Sequence, residues 1–487
     1  MNSAAGAGPG PGDGRGLGRG LGRVPAQRVS AAGIVRVDQR AILALALPLI
    51  ANSAAQLLLN LTDVWFVGRI STRALAAVGA VHWLAMVVML VLSGIGMAVQ
   101  TVVAQAHGAR RQARAAQAVW LALWGLLLAT PMFLLAGLSI RTLLAPFSLP
   151  ADMVDLAAAF WLPRVGGSCF GAAVWALLGF FNGISRPRVT LLVTVVMAAT
   201  NALFNELFIF DMHLGVAGSG LATTVAQAAG LAVAMAAFLR GHYRRGYRTH
   251  LTWTPNLRRI WTQFRLGLPM GLLIAADLIG FSLFQIMQVK LGEAEGAATQ
   301  LVMIITAVSY LPGVGIAMAG TTLVGQAIGA GDCGWAYKLG NRAIAMAALY
   351  MGGTGLLLAA SGPWVLPWFV GGQEPQTAQV LTLGAELLWI AAAYQFFDGI
   401  NLASGMCLRG AGDAVVPAAL VTAISWLLFV PLAHMLTFSV GQGWVNGLPQ
   451  WGLGARGGWL AIVIYVLIVA AAMLLRWRSR AWQRLAI

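Results

Sequence analysis

Five carboxylates of this 487-residue chain fall within long apolar stretches: Asp63, Glu206, Asp277, Glu386 and Asp398. On insertion scales a carboxylate at mid-bilayer costs about 2.5–3.5 kcal/mol, whereas each Leu or Ile contributes about −0.3 to −0.6 kcal/mol. An apolar segment can absorb one such residue, but it needs a compensating benefit. Asp277 heads a stripe with Gln285 and Gln288, eight and eleven residues on, along one helical face. Tyr394, Asp398, Asn401 and Gly405 recur at steps of four, three and four. Gln56, Asn60 and Asp63 follow the same rule, as do Asn201 and Asn205. Polar stripes on otherwise apolar helices face an aqueous cavity or another polar stripe. Amides also serve simply to join helices, and for the Asn and Gln residues both readings stay open; an acid is a poor choice of glue. Glu386, nearer a segment edge, reads as interfacial, and Asp211, at a segment end, as solvated. Two acids facing one cavity cannot both ionise freely. Such a pair takes up a proton or binds Na⁺, and when empty it binds a cationic substrate. Competition for the same carboxylates is a physical route to antiport.

The elements that position these residues follow from composition. The chain is 59% hydrophobic and 9% charged, against about 25% charged in soluble domains, and its mean hydropathy is +0.79. Windows of about 20 apolar residues read as membrane-spanning helices. Twelve are expected, near 41–66, 77–104, 116–139, 157–181, 189–210, 216–238, 264–290, 298–328, 342–360, 379–406, 414–437 and 457–475. The net charge of +16 is carried mostly by short loops. With the N-terminus cytoplasmic, 25 basic residues fall on the inside and five outside, alternating through every loop, as the positive-inside rule requires. That distribution argues against nucleic acid as a partner. Arg164 is the one basic residue left inside a span.

The expected organisation is a Gly/Ala/Arg-rich tail without structure over 1–38, an N-lobe over 39–238, a cytoplasmic linker over 239–263, a C-lobe over 264–475 and a basic cytoplasmic tail over 476–487. The two lobes resemble each other. GIGMAVQTVVAQAHGA at 94–109 and GIAMAGTTLVGQAIGA at 315–330 share ten of sixteen positions at an offset of 221, which Pro48 and Pro269 also keep. Six spans per repeat make the repeats parallel, related by a pseudo-two-fold axis along the membrane normal. The expected fold is therefore all-α integral membrane, two six-helix bundles around a central cavity. The two lysines, Lys290 and Lys338, follow Val289 and Tyr337, so no Gly-Lys-Ser/Thr nucleotide loop exists. Cys169, Cys333 and Cys407 form no CxxC pair, and no zinc or catalytic spacing appears. A secondary transporter driven by an ion gradient is favoured over an ATP pump, a channel or an enzyme.

LPLIANSAAQLLLNLTDVWFVGRIS (47–71), LAAVGA (75–80), VAQAHGARR (103–111), GVAGSGLATTVAQ (215–227), GLPMGLLIAAD (267–277) and YQFFDGINLASGMCLRGAGD (394–413) resemble the multidrug and toxic compound extrusion (MATE) family over about 40–475. The resemblance implies a multidrug efflux antiporter of a bacterial inner membrane, monomeric, with both termini cytoplasmic. It would export organic cations or amphiphilic drugs in exchange for Na⁺ or H⁺, with no cofactor and no nucleotide. In the NorM-like branch a C-lobe acid pair with a nearby Tyr couples the cation. Asp277 stands where that branch usually has Glu, and Tyr394 and Asp398 match its tenth-span motif. The family's N-lobe cation site matches Asp63, Asn201 and Thr223. Another branch has an Asp where this chain has Asn205, with Glu206 beside it as a supporting acid. A Na⁺ ion would be held at Asp277, Asp398 and Tyr394 or at Asp63 and Asn201. The alternative is a flippase for lipid-linked oligosaccharides of the same wider architecture, which calls for a strongly basic cavity.

Overall fold

The structure, a computed structural model, describes residues 24–29, 35–145, 151–368, 375–445 and 447–485. In hydrocarbon every backbone N–H and C=O must be satisfied within its own segment, which leaves helices as the solution for such apolar runs. Among the described residues, twelve helices are long and apolar enough to cross a membrane. Spans 1 to 6 are Gln39–Gly68, Thr72–Gly108, Gln112–Leu138, Ala151–Gly183, Pro187–Asp211 and Gly215–Leu239. Spans 7 to 12 are Leu257–Leu291, Glu293–Gly329, Cys333–Trp368, Pro375–Gly410, Val415–Thr437 and Gly454–Arg478. Polar caps start several of them outside the apolar stretch. The side chains of Ser71, Asn256 and Asp332 accept from the backbone N–H of Ala74, Arg259 and Trp335 at 3.0, 3.0 and 2.7 Å, satisfying donors a helix leaves free at its N-terminus.

Two spans depart from regular helix at equivalent places. Span 5 widens into a π-turn at Leu207–Asp211 and span 11 at Ser425–Phe429, the fifth helix of each lobe. π-Turns inside helices frequently mark functional sites. Span 4 breaks between Gly166 and Ser168. Just before the break Pro163 accepts a hydrogen bond on its carbonyl from Thr224 Oγ1 of span 6 at 2.7 Å.

The lobes meet along span 1 against span 8 and span 2 against span 7, with span 2 also touching span 8. Hydrogen bonds between them cluster in one half of the bundle, the end that carries the N-terminus of span 1. Gln100 Nε2 donates to Thr322 Oγ1 at 3.1 Å, Thr101 Oγ1 to the Arg409 carbonyl at 2.9 Å and Gln105 Nε2 to the Gly410 carbonyl at 3.1 Å. Gln326 Nε2 donates to the Gly183 carbonyl at 2.8 Å and to Ser185 Oγ at 2.9 Å. The repeat explains the closeness. A Cβ on Gly108 would strike the Gln326 carbonyl, and one on Gly329 would strike the Gln105 carbonyl. Gly108 and Gly329, like Gln105 and Gln326, are 221 residues apart. This reciprocal contact is what a two-fold relation produces, and it closes the base of the molecule. Gly329→Val should therefore pry the base open. In a background lacking the three cysteines, a Ser185→Cys reporter should label at least about fivefold faster with an aqueous maleimide when Gly329→Val is added, since a backbone clash cannot be relieved by a rotamer change. An unchanged labelling rate would refute the role given to the glycine contact.

The N-terminal segment is not wholly without structure. Part of the 1–38 segment forms a hairpin, Gln27–Val29 antiparallel to Val35–Val37, held by Trp335 Nε1 donating to the Pro25 carbonyl at 2.9 Å; residues 1–23 lie outside the described set. At the other end Ala481–Leu485 forms a 3-10 turn. There Trp482 is fully buried and stacks on Trp477 with centroids 4.9 Å apart. The linker is partly helical at Gly241–Gly246 and is fastened to span 2 through Tyr247, whose hydroxyl lies 2.7 Å from His107 Nδ1. Burial, reinforced by Tyr243, pushes the Tyr247 phenol up to about 12, so it stays protonated at neutral pH.

Candidate functional site

In the N-lobe, Asp63 is drawn into a dense network. Its Oδ1 accepts from Asn201 Nδ2 at 2.8 Å and from Asn205 Nδ2 at 2.9 Å, and its Oδ2 accepts from Thr223 Oγ1 at 3.0 Å. Asn205 also donates to Asn201 Oδ1 at 3.1 Å. The i, i+4 spacing puts both amides on one face of span 5, and both are fully buried. Arg164 completes the cluster. Its charge acts on Asp63, while its Nη1 is shielded from solvent with no hydrogen-bond partner. A carboxylate that accepts three neutral hydrogen bonds and feels a guanidinium has little need of another cation.

The C-lobe acids are supported far more thinly. Asp277 accepts one hydrogen bond, from Tyr465 Oη of span 12 at 3.0 Å, with Ser425 of the span 11 π-turn beside it. Asp398 accepts from Asn401 Nδ2 at a long 3.4 Å. The two carboxylates act on each other, and Tyr310 feels both. Tyr394 lies one turn before Asp398, next to Thr306, its ring stacked on Trp459 at 6.4 Å. Span 11 fixes the height of Asp277. Thr422 Oγ1 donates to the Leu273 carbonyl at 3.0 Å and Trp426 Nε1 to the Ala276 carbonyl at 2.9 Å.

Sequence reasoning and structure agree unevenly on the remaining candidates. Glu206 does not join Asp63; it points away from the Asn201–Asn205 face, half exposed, and pairs with Arg69 at 3.9 Å. Glu386 pairs with Arg456 at 2.7 Å near the surface, in keeping with an interfacial acid. Gln288 is fully buried, with neither amide atom partnered, against Gly458 and Thr437, so it belongs to a helix contact and not to the surroundings of Asp277. Gln56, Asn60 and Gln285 are half-buried on their stripes. Asn52, one turn before Gln56, extends the span 1 stripe and accepts from Thr194 Oγ1 at 2.6 Å. The sequence reading missed Tyr465, Tyr310 and Ser425. A phenol within an apolar span was the available signal for the first two.

The MatE family model matches residues 48–207 and 269–435, covering both lobes. The chain belongs to the MATE family. Members are transporters, not enzymes. The chain is 27% identical over 90% of its length to 93% of the probable multidrug resistance protein NorM of Agrobacterium fabrum. It is 30% identical over 85% of its length to 91% of the protein of the same name from Pseudomonas putida. Among solved structures, a MATE protein crystallised in the straight conformation superposes with a TM-score of 0.78 at 21% identity, over 91% of this chain and 96% of that one. A multidrug resistance MATE family transporter in an outward-facing conformation gives 0.77 at 21% identity, over 90% and 95%. These matches show that the two-bundle fold of MATE proteins extends over nearly the whole chain.

Proposed function

We propose that this MATE protein is a secondary active multidrug efflux antiporter that exchanges Na⁺ or H⁺ for organic cations or amphiphilic drugs, coupled chiefly at Asp277 and Asp398. The observation that carries the reading is the contrast between the two carboxylate sites. Asp63 accepts three hydrogen bonds, whereas Asp277 and Asp398 accept one each. The charge of so thinly supported a carboxylate within an apolar span is relieved by a proton, a Na⁺ ion or a cationic drug. Occupancy by one excludes the other, and this exclusion is the exchange rule. Tyr394, Tyr310 and Tyr465 offer phenol oxygens and aromatic faces, which suit both a metal cation and an organic one. The relatives named as multidrug resistance proteins support the substrate class.

The basic end of the bundle is the cytoplasmic side in this reading, which places both termini inside a bacterial plasma membrane and makes the closed base an outward-facing state. A single chain contains both lobes and both carboxylate sites, so a monomer suffices. The flippase alternative finds less support, because Asp63, Asp277 and Asp398 lie well inside the apolar spans against a single mid-span cation, Arg164. Ethidium uptake into ATP-free inverted vesicles under separate Na⁺ and H⁺ gradients tests the proposal. Transport is expected with one or both gradients and without nucleotide. Strict dependence on ATP hydrolysis would overturn it.

A further inference from the structure

A cavity of about 780 Å³ opens at the basic end, between span 3, the linker and the start of span 7. Its polar wall carries Arg114, Arg259, Gln117, Thr252, Thr254 and Thr262, and no carboxylate lines it. Arg259 Nη1 donates to Gln117 Oε1 at 2.6 Å, which fixes one guanidinium without neutralising it. The inner wall is apolar, from Val102 and Leu121. Tryptophans mark the depth. Trp120 Nε1 and Trp124 Nε1 donate to the carbonyls of Thr249 and Trp253, both at 2.7 Å, while Trp253 and Trp261 are 52% and 70% exposed. Indoles gather where acyl chains give way to headgroups. Further along span 3, toward the membrane centre, a second groove of about 300 Å³ runs over Leu123, Leu127 and Phe170. A cationic, hydroxyl-lined chamber at headgroup depth fits the phosphate diester of a lipid headgroup.

We propose that this cavity binds the headgroup of an anionic phospholipid from the leaflet at the basic end. Basic pockets between membrane helices on that side take such headgroups, each Lys or Arg contributing about fivefold in affinity. Span 3 belongs to the N-lobe and span 7 to the C-lobe, so the lipid bridges the two lobes and favours the closed base. The inference rests on membrane insertion and on the cavity, and it stands whichever ion or drug the transporter carries.

Native mass spectrometry of the full-length protein, delipidated and titrated with phosphatidylglycerol or phosphatidylcholine, tests it. The wild type should retain one phosphatidylglycerol at least about tenfold more tightly than phosphatidylcholine. Arg114→Gln/Arg259→Gln should lose that preference at an unchanged melting temperature. Arg244→Gln/Arg245→Gln, with the same charge removed from the exposed Gly241–Gly246 helix, should keep it. Equal preference in the cavity variant and the wild type would overturn the proposal, as would equal loss in both variants. Displacement of the lipid by millimolar inorganic phosphate would overturn the lipid as the occupant. Ethidium efflux plays no part in the readout, so failure here is separable from failure of the antiport reading.

Discussion

Replacing Asp398 or Asp277 by Asn should abolish gradient-driven efflux, to below about a tenth of the wild-type initial rate, while leaving folding intact. Each acid accepts a single hydrogen bond from a neutral donor, Asn401 for Asp398 and Tyr465 for Asp277. An Asn side chain still offers an oxygen to that donor, so no buried partner is orphaned. Removing a carboxylate from mid-membrane also lifts an insertion cost of about 2.5–3.5 kcal/mol, which makes a stability loss the wrong direction. What the amide cannot do is take up a proton at neutral pH or balance the charge of Na⁺ or a drug. Initial rates of ethidium efflux in proteoliposomes, with melting temperature measured in parallel, separate the two effects. Tyr465→Phe should weaken coupling more gently, roughly tenfold in the ion concentration for half-maximal rate, since it removes one hydrogen bond to a charged group. Wild-type rates in both carboxylate variants would remove the C-lobe pair from the mechanism.

The fold was legible because bilayer hydrocarbon filters sequence so severely. Twelve apolar windows became twelve helices, and the internal repeat anticipated the reciprocal glycine contacts at the base. Helix ends were less legible. Span 9 begins at Cys333, some nine residues before the apolar window, because Asp332 caps it and Lys338 and Arg342 lie on helix that extends past the hydrocarbon. The site was legible where helical spacing aligned several polar residues, as at Asn201 and Asn205. It failed where spacing was ambiguous. Glu206 follows Asn205 by one residue, about 100° around the helix, and so turns to Arg69. Gln288 continues the Asp277 stripe by count, yet the absence of a side chain at Gly458 lets span 12 cover it. Tyr465 carries no periodic signal at all, because its meaning comes from a helix 188 residues away. Pairwise packing across the bundle is the information that a linear pattern lacks.

Arg164 gives the N-lobe a second, opposite test. Asp63→Asn should destabilise the protein instead of merely uncoupling it. The substitution leaves the shielded guanidinium of Arg164 without its compensating charge and confronts Asn201, Asn205 and Thr223 with a weaker acceptor. Leaving a shielded guanidinium uncompensated is costly, and the loss should appear as a clear fall in melting temperature in detergent. Arg164→Met alone should cost less, because Asp63 keeps all three of its hydrogen bonds. Combining Asp63→Asn with Arg164→Met should recover most of the stability and much of the efflux, since the stranded charge is gone and the C-lobe pair is untouched. If Asp63 were instead the main coupling acid, the single variant would melt like the wild type and lose ion-driven efflux, and removing Arg164 would restore nothing. The double-variant cycle therefore assigns the N-lobe carboxylate either to holding the bundle around Arg164 or to carrying the ion. Its three neutral donors and its guanidinium neighbour favour the first.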